Sequence, residues 1–166
     1  NTMSGGIKLL HDNQDQKELL INNLDYLPNF INETVRCVSP VIHMRRTSLE
    51  ETEINGQRIG PFEKIALWYG AANRDPEIFQ DPDTFNILRE NADKHLAFGI
   101  GRHTCLGKPV ALMQLREFYS QFLGRFPDFE MNGEWKVAPN NFVHAIQEMP
   151  ICLLYTSDAA DDKQCV

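Results

Sequence analysis

The stretch from Leu106 to Leu123 constrains the fold most strongly, because apolar side chains recur there at helical spacing on two opposite sides. The two sets are Leu106, Val110 and Met113 on one side, and Ala111, Leu115, Phe118 and Phe122 on the other. A helix with one apolar stripe packs a single face against a core, whereas two stripes need cover on both sides. The pattern therefore predicts a central helix that is buried on two faces.

Shorter elements surround this helix. We predict helices over Asn1–Leu10, Asp15–Leu20 and Pro28–Val38, and short strands over Val41–Arg45, Glu53–Ile54, Arg58–Ile59, Ile65–Leu67, Phe126–Met131 and Phe142–Ile151. Asn55-Gly56 is a hairpin turn signal. Two Asp-Pro pairs between Arg74 and Ala97 favour an irregular segment there. The result is a mainly α-helical chain with small β-sheets.

Composition excludes several classes of protein. With 166 residues and 42% hydrophobic content, the chain can build one globular core. The 16 basic and 23 acidic side chains give a net charge of −7, which argues against nucleic acid as a partner. No apolar run is long enough for a membrane span, and no leader is visible. Four scattered cysteines predict a reduced, cytoplasmic protein rather than a disulfide framework.

The two ends of the chain have different character. Met3, Ile7 and Leu10 already follow helical spacing, so we expect a helix that begins upstream of Asn1. Residues 152–166 read CLLYTSDAADDKQCV, without periodicity. We therefore predict one domain portion over residues 1–151 and a non-native tail over residues 152–166.

A glycine-rich loop, Phe98-Gly99-Ile100-Gly101-Arg102-His103-Thr104-Cys105-Leu106-Gly107, carries the most chemistry. Its glycines allow tight turns and close approach to a bulky, flat group. Cys105 stands at the predicted start of the helix, where unpaired N–H groups and the helix dipole favour a thiolate. A single thiolate suits haem, because the porphyrin fills the four equatorial positions of the iron. The alternative is an inert buried cysteine in a glycine-rich turn.

This loop resembles the haem-binding signature of the cytochrome P-450 monooxygenases, Phe-Gly-x-Gly-x-His/Arg-x-Cys-x-Gly. The matching positions are Phe98, Gly99, Gly101, His103, Cys105 and Gly107. The resemblance implies haem b as cofactor, with Cys105 as the axial ligand, Phe98 packed beside it and His103 directed at a haem propionate. It also implies the C-terminal part of a mostly helical fold with small β-sheets.

Glu33 and Arg36 lie at i and i+3 on a predicted helix, the spacing at which they can pair. On its own, such a pair is most simply a solvated surface salt bridge. In the family, a Glu-x-x-Arg motif braces the segment before the cysteine loop, which implies a structural role here. The arginine of a family Pro-x-Arg-Phe motif is replaced by Thr84, and Arg89 is the candidate substitute.

The resemblance assigns further contacts. Buried haem propionates need cations or donors, and the family pattern points to Arg46, His95 and His103. It also places Val41, Ile42 and Met44 beside an apolar substrate. The alternatives are surface cations or satisfied histidines for the first group, and ordinary strand core for the second.

The function implied is insertion of one oxygen atom from O2 into a small apolar substrate. A basic cluster around the loop, formed by Lys94, Arg102, Lys108 and Arg116, would receive an acidic ferredoxin or similar electron donor, as in related enzymes; the alternative is a solvated surface. The family's acid and threonine for proton delivery would fall upstream of Asn1, so we expect residues 1–166 alone to be inactive and to bind haem poorly. The alternatives are a haem sensor or carrier, and a peroxide-using or isomerising haem-thiolate enzyme.

Overall fold

The computed structural model describes residues 1–153 and the backbone of Gln164 and Cys165. The helices are α1 (Thr2–Asp12), α2 (Gln14–Asn22), α3 (Leu27–Val38), α4 (Tyr69–Ala72) and α5 (Lys108–Arg125). The strands are β1 (His43–Thr47), β2 (Thr52–Ile54), β3 (Gln57–Ile59), β4 (Lys64–Trp68), β5 (Glu130–Met131), β6 (Lys136–Ala138), β7 (Ala145–Glu148), β8 (Ile151–Leu153) and β9 (Gln164–Cys165). The predicted class, mainly α with small β-sheets, is confirmed.

The core forms where α1, α3 and α5 meet. Apolar residues of α3 recur every three or four positions, so one face of the helix is buried while Pro28 occupies its first turn. The Phe30 ring packs edge-on against the ring of Tyr119 of α5, with centroids 4.7 Å apart. Phe85, from the irregular segment, closes the other side of Phe30 at 6.1 Å. These contacts fix α5, and hence the cysteine loop before it, relative to α3.

Two small antiparallel sheets follow α3. In the first, β1 pairs with β4, with Arg46 opposite Ile65. In the second, β2 and β3 are joined by Asn55 and Gly56, whose φ values of 49° and 76° are those of the predicted Asn-Gly turn.

The predicted strand start at Val41 is wrong. β1 begins at His43 because the preceding residues pair with a distant segment: Val41 bridges to Val143, and the Ile42 N–H donates to the Phe142 carbonyl at 2.9 Å. The strand predicted over Phe142–Ile151 is not continuous. Its first two residues pair with the link before β1, and later residues form β7 and the start of β8. Of the strand predicted over Phe126–Met131, only Glu130–Met131 forms a strand, β5.

Near the C-terminus, β6 pairs with β7, and β8 pairs with β5 and β9. The register places Cys165 opposite Cys152. Cys152 is disulfide-bonded, so the expectation that all the cysteines are reduced is wrong for this residue. Most of the predicted tail over residues 152–166 lies outside the described residues.

α5 departs from the prediction of burial on two faces. Leu115, Tyr119 and Leu123 are buried against the core, but Leu106 is 97% exposed and Val110 and Met113 are also exposed. The reason is that no described residue packs over that second stripe. No helix in the described part of the chain combines the length and apolarity needed to cross a bilayer.

Candidate haem-binding site

The cysteine loop is closed by its own backbone. The Cys105 N–H donates to the Phe98 carbonyl at 2.7 Å, and the Thr104 N–H donates to the Gly101 carbonyl at 3.1 Å. Gly99 and Gly101 have φ values of 71° and 67°, a region that residues with a Cβ rarely adopt. The two glycines therefore allow the loop to fold back between Phe98 and Cys105.

Cys105 is exposed and lies two residues before Gly107, the N-cap of α5. Its sulfur lies beside the N-cap residue, and stabilisation of a thiolate by the first N–H groups of the helix stays a prediction. The alternative of an inert buried cysteine is contradicted by the exposure of Cys105. A Cβ on Gly107 would lie 3.7 Å from the Cys105 Sγ, so the glycine keeps the surroundings of the sulfur open.

Exposed apolar side chains precede and follow Cys105 along the chain. They are Ile100, Leu106, Val110 and Met113, which run from the loop into α5. Phe98, half-buried, packs its ring 5.6 Å from the His95 ring. Exposed apolar side chains before and after one soft ligand in the chain fit a flat apolar group that brings its remaining ligands with it. Within the described chain, no cluster of three or more His, Cys, Asp or Glu residues converges as an alternative metal site.

His95 supplies a direct test of whether a haem propionate fits. Its Nδ1 accepts a hydrogen bond from the Ala97 N–H at 3.2 Å, so the neutral ring carries its proton on Nε2. Nε2 is buried and finds no acceptor among the described residues. A buried donor left unpaired costs about 1–3 kcal/mol. A carboxylate brought by a ligand would satisfy it, so the residue fits a propionate.

Burial lowers the pKa of His95 to about 4, and the positive charge of Lys108 acts in the same direction. The imidazole is therefore neutral near pH 7 in this environment. An anionic acceptor at Nε2 would oppose both effects.

The other two predicted propionate contacts, Arg46 and His103, are less buried than His95. Arg46 lies half-buried on β1, and its Nη1 donates to the neighbouring Arg45 carbonyl at 3.0 Å. Arg46 forms no ion pair with any described residue, which leaves its charge available. His103 ends a short 3-10 turn, Gly101–His103, and is exposed.

Glu33 and Arg36 form a buried pair. Arg36 donates to both carboxylate oxygens of Glu33, from Nε at 2.7 Å and from Nη2 at 2.8 Å, and both side chains have 0% exposure. The solvated surface salt bridge considered as an alternative is therefore wrong. Removing one partner of such a buried pair leaves an unpaired charge, which costs about 3–5 kcal/mol.

Arg89 joins the same carboxylate. Its Nε lies 3.0 Å from Glu33 Oε1, and its Nη groups donate to the Gln80, Asp81 and Thr84 carbonyls. Arg36 donates to the Asn73 and Pro82 carbonyls at 2.8 and 2.7 Å. The two arginines thus tie the irregular segment to α3.

Asn73 is a residue that the sequence reasoning missed. It is fully buried, and its Oδ1 accepts a hydrogen bond from the Leu96 N–H at 2.6 Å while its Nδ2 donates to Ser39 Oγ at 2.8 Å. Together with its carbonyl contact to Arg36, this connects the buried pair on α3 to the residue after His95. A single asparagine in a polar stretch gives no pattern that would reveal this role.

The proposed substrate contacts lie on the link into β1. Val41 and Ile42 are half-buried, and Met44 is exposed. The backbone of Phe142 and Val143 pairs with this link, so a second segment adjoins it that sequence spacing did not reveal. His43 packs its ring 4.9 Å from that of Trp68, on the same strand pair.

Of the four residues of the predicted basic cluster, Lys94, Arg102 and Arg116 are exposed. Lys108 is half-buried, with its Nζ 5.6 Å from the centre of the Phe98 ring. That the four form one positive surface stays a prediction.

Comparison with known proteins agrees with this geometry. Residues 8–152 match the family model described as cytochrome P-450. Linalool 8-monooxygenase of Pseudomonas putida is 36% identical over 154 residues, and the match covers 93% of this chain and 38% of that protein. Steroid C26-monooxygenase of Mycolicibacterium smegmatis is 39% identical over 153 residues, covering 91% of this chain and 38% of the relative.

Solved structures of cytochromes P-450 share the fold of this chain. Cytochrome P-450-153 from Novosphingobium aromaticivorans superposes with a TM-score of 0.87 at 39% identity, covering 91% of this chain and 38% of that one. A cytochrome P-450 in complex with an acyl carrier protein ligated to hexadec-9Z-enoic acid superposes with a TM-score of 0.90 at 33% identity, covering 93% and 40% of the two chains. The chain thus spans about two fifths of the length of these proteins.

Proposed function

Because this chain belongs to the cytochrome P-450 family, we propose that it forms the haem-ligand part of a monooxygenase that inserts one oxygen atom from O2 into an apolar organic substrate. The observation that carries the proposal is the exposed Cys105 thiol, preceded and followed along the chain by exposed apolar side chains, with the unpaired buried donor of His95 nearby in sequence. Residues 1–151 are then the C-terminal portion of a longer domain, and residues 152–166 are a non-native tail.

In this proposal Cys105 would provide the thiolate that holds the iron of haem b. Bound haem supplies a redox centre that activates O2 when two electrons and protons are delivered. The chain's own contribution is to present one sulfur at the end of a loop whose backbone is fixed between Phe98 and Cys105. Gly99 and Gly101 adopt the positive φ values that the loop needs, and Gly107 adds no side chain beside the Cys105 sulfur.

The polar contacts of the site would hold the haem carboxylates. His95 donates from Nε2, and Arg46 and His103 provide positive charge or a further donor. The neutral state of buried His95 suits a hydrogen-bond donor rather than an ion-pair partner. Arg46 would therefore supply the positive charge, and His95 would supply a neutral hydrogen-bond donor.

Glu33, Arg36 and Arg89 act at a distance from the reacting atoms. Their buried hydrogen bonds fix the irregular segment that leads to His95 and the cysteine loop. Their role is therefore to keep the donor side chains and the thiol in one arrangement.

Val41, Ile42 and Met44 are the proposed substrate contacts. The named activities of two relatives concern linalool and steroids, which are both largely apolar. An apolar substrate also suits these aliphatic and thioether side chains.

The proposed electron donor is an acidic protein such as a ferredoxin, which would dock on the cluster Lys94, Arg102, Lys108 and Arg116. Positive charge around the ligand loop would speed encounter with such a donor and orient it. In line with its bacterial relatives, we place the complete protein in the cytoplasm.

The proposal is tested by labelling. The complete protein, loaded with hemin and given a ferredoxin-type donor, is incubated with linalool or a steroid under oxygen-18-labelled O2. We expect an alcohol that carries one labelled atom. Turnover only with added peroxide, or an isomerised product without added oxygen, would overturn the proposal in favour of another haem-thiolate enzyme. Haem binding without any product would favour a sensor or carrier.

A further inference from the structure

The carboxyl end of α3 is capped by side chains rather than by backbone. Pro40 has no N–H, so the Arg36 carbonyl cannot be paired by the residue four positions later. The Ser39 hydroxyl donates to that carbonyl instead, at 2.8 Å. Ser39 has a φ of 42°, a left-handed conformation that ends the helix and turns the chain away from it. The carbonyls of Cys37 and Val38 therefore need partners from elsewhere in the chain.

Two distant basic side chains cap these carbonyls. The Arg74 Nη2 donates to the Cys37 carbonyl at 2.8 Å. The His144 Nδ1 lies 2.9 Å from the Val38 carbonyl oxygen, and because a carbonyl can only accept, this nitrogen carries the proton. The negative end of the helix dipole favours basic groups at this position. The His144 ring thus joins α3 to residues 139–144, the turn between β6 and β7.

The β6–β7 turn also holds the link Ser39–Ile42 through its backbone. The His144 N–H donates to the Pro40 carbonyl at 2.9 Å. The Ile42 N–H donates to the Phe142 carbonyl at 2.9 Å, and the Ile42 carbonyl accepts from the first N–H of α4 at 3.1 Å. The link therefore lies between two segments, and its place depends on how the β6–β7 turn meets α3.

The His144 ring adds control that the backbone pairing lacks. Val41 and Val143 form an isolated bridge rather than part of a longer ladder. A single bridge specifies the register of two segments only weakly. The bond from the His144 ring to the Val38 carbonyl fixes that register against a rigid reference, because α3 is held in the core by its buried Phe30 and Glu33 side chains.

We propose that His144 is a positioning residue for the substrate site: by capping α3, it sets the place of the link that carries Val41 and Ile42. This inference rests on the proposed function, in which these two residues contact the substrate. His144 acts through the backbone of the link. Loss of its donor would let the link shift, so the fit of an apolar substrate would change while the Cys105 loop keeps its place.

The experiment compares His144→Leu and His144→Asn with the wild type in the complete, haem-loaded protein. Leucine removes the donor, whereas the asparagine amide can donate from nearly the same place as Nδ1. Amide hydrogen exchange at Ile42, measured relative to Leu115 of α5, should become about two- to tenfold faster in His144→Leu, as expected for the loss of one hydrogen bond. Exchange in His144→Asn should stay within about twofold of the wild type.

Substrate affinity is the second readout. Equilibrium dialysis measures the dissociation constants of linalool and of a steroid, the compounds of the labelling experiment. We expect the constant of the compound that binds to rise at least about threefold in His144→Leu, and to return toward the wild-type value in His144→Asn, with unchanged haem content in both. Lys136→Leu removes an exposed ion pair with Glu148 on the same pair of strands, and this matched control should change neither readout.

Unchanged exchange at Ile42 in His144→Leu would overturn the inference, as would an equal effect of Lys136→Leu. Faster exchange with an unchanged dissociation constant would also refute it, because the link would then not set the fit of the substrate. A wild type that binds neither compound would instead contradict the proposed substrate contacts. The exchange comparison would still decide in that case whether His144 holds the link.

Discussion

Arg89 and Arg36 bind the same carboxylate, with the Arg89 Nε 3.0 Å from Glu33 Oε1. Thr84 stands where the family motif has an arginine, yet it contributes to the network through its backbone. Its carbonyl accepts from Arg36 Nη2 at 3.2 Å and from Arg89 Nη2 at 2.9 Å. An arginine five residues later in the chain therefore supplies the second cation around Glu33.

Glu33→Gln should destabilise the complete protein by about 3–5 kcal/mol, because two buried arginines would lose their counter-charge. Arg89→Lys should cost about 1–3 kcal/mol, since an ammonium cannot reach the carboxylate and three carbonyls together. Urea unfolding measures both changes. Arg58→Lys, in the exposed pair with Glu51, is the control and should change stability by less than about 0.5 kcal/mol. Equal effects of Arg89→Lys and Arg58→Lys would contradict the assigned network.

The Glu33–Arg36 pairing followed from helical spacing, but its burial did not. Spacing places two side chains on the same side of α3, whereas burial depends on which distant segment packs there. The same limit explains α5, where two apolar stripes predict burial on two faces but Leu106, Val110 and Met113 lack cover in the described chain. Asn73 gave no periodic signal at all, because its partners at Ser39 and Leu96 are set by tertiary contacts.

Asn73→Ala should weaken haem retention, because the Leu96 N–H would lose its acceptor and the His95 segment would loosen. The Ser39 hydroxyl would lose one bond but still donates to the Arg36 carbonyl at 2.8 Å. A buried donor left unpaired costs about 1–3 kcal/mol. Haem transfer to apomyoglobin measures the loss rate, which should rise at least tenfold. Asn91→Ala, at an exposed hydrogen bond to the Ile78 carbonyl, should leave the rate near that of the wild type. A normal rate in Asn73→Ala would show that the buried bridge does not support the site.

The haem-free protein should lose stability as the pH falls from about 6.5 to about 4. Burial lowers the pKa of His95 in the folded state to about 4 from an ordinary value of 6.5, so in that window the unfolded chain binds more protons. The stabilisation is complete above pH about 6.5, and its loss approaches about 3 kcal/mol at the low end. Urea unfolding of His95→Gln should show a smaller pH dependence than the wild type. A wild-type pH dependence in His95→Gln would refute the assignment.

Cys105 should react with iodoacetamide much faster than Cys37 in the haem-free protein. Burial raises the pKa of the Cys37 thiol to about 11, which lowers its thiolate fraction about a hundredfold relative to an ordinary cysteine. Cys105 is exposed. Peptide mass spectrometry gives both rates, and haem should protect Cys105 alone. Equal labelling of the two thiols, or no protection by haem, would disagree with the site described.

The reduced carbon-monoxide difference spectrum of the complete protein tests the central claim most directly, with Cys105→Ser compared against Cys37→Ser. We predict a thiolate-type band, as the family resemblance implies, in the wild type and in Cys37→Ser, and its absence in Cys105→Ser. Retention of that band in Cys105→Ser, or a wild-type band typical of imidazole ligation, would contradict the assignment of Cys105 as the haem ligand.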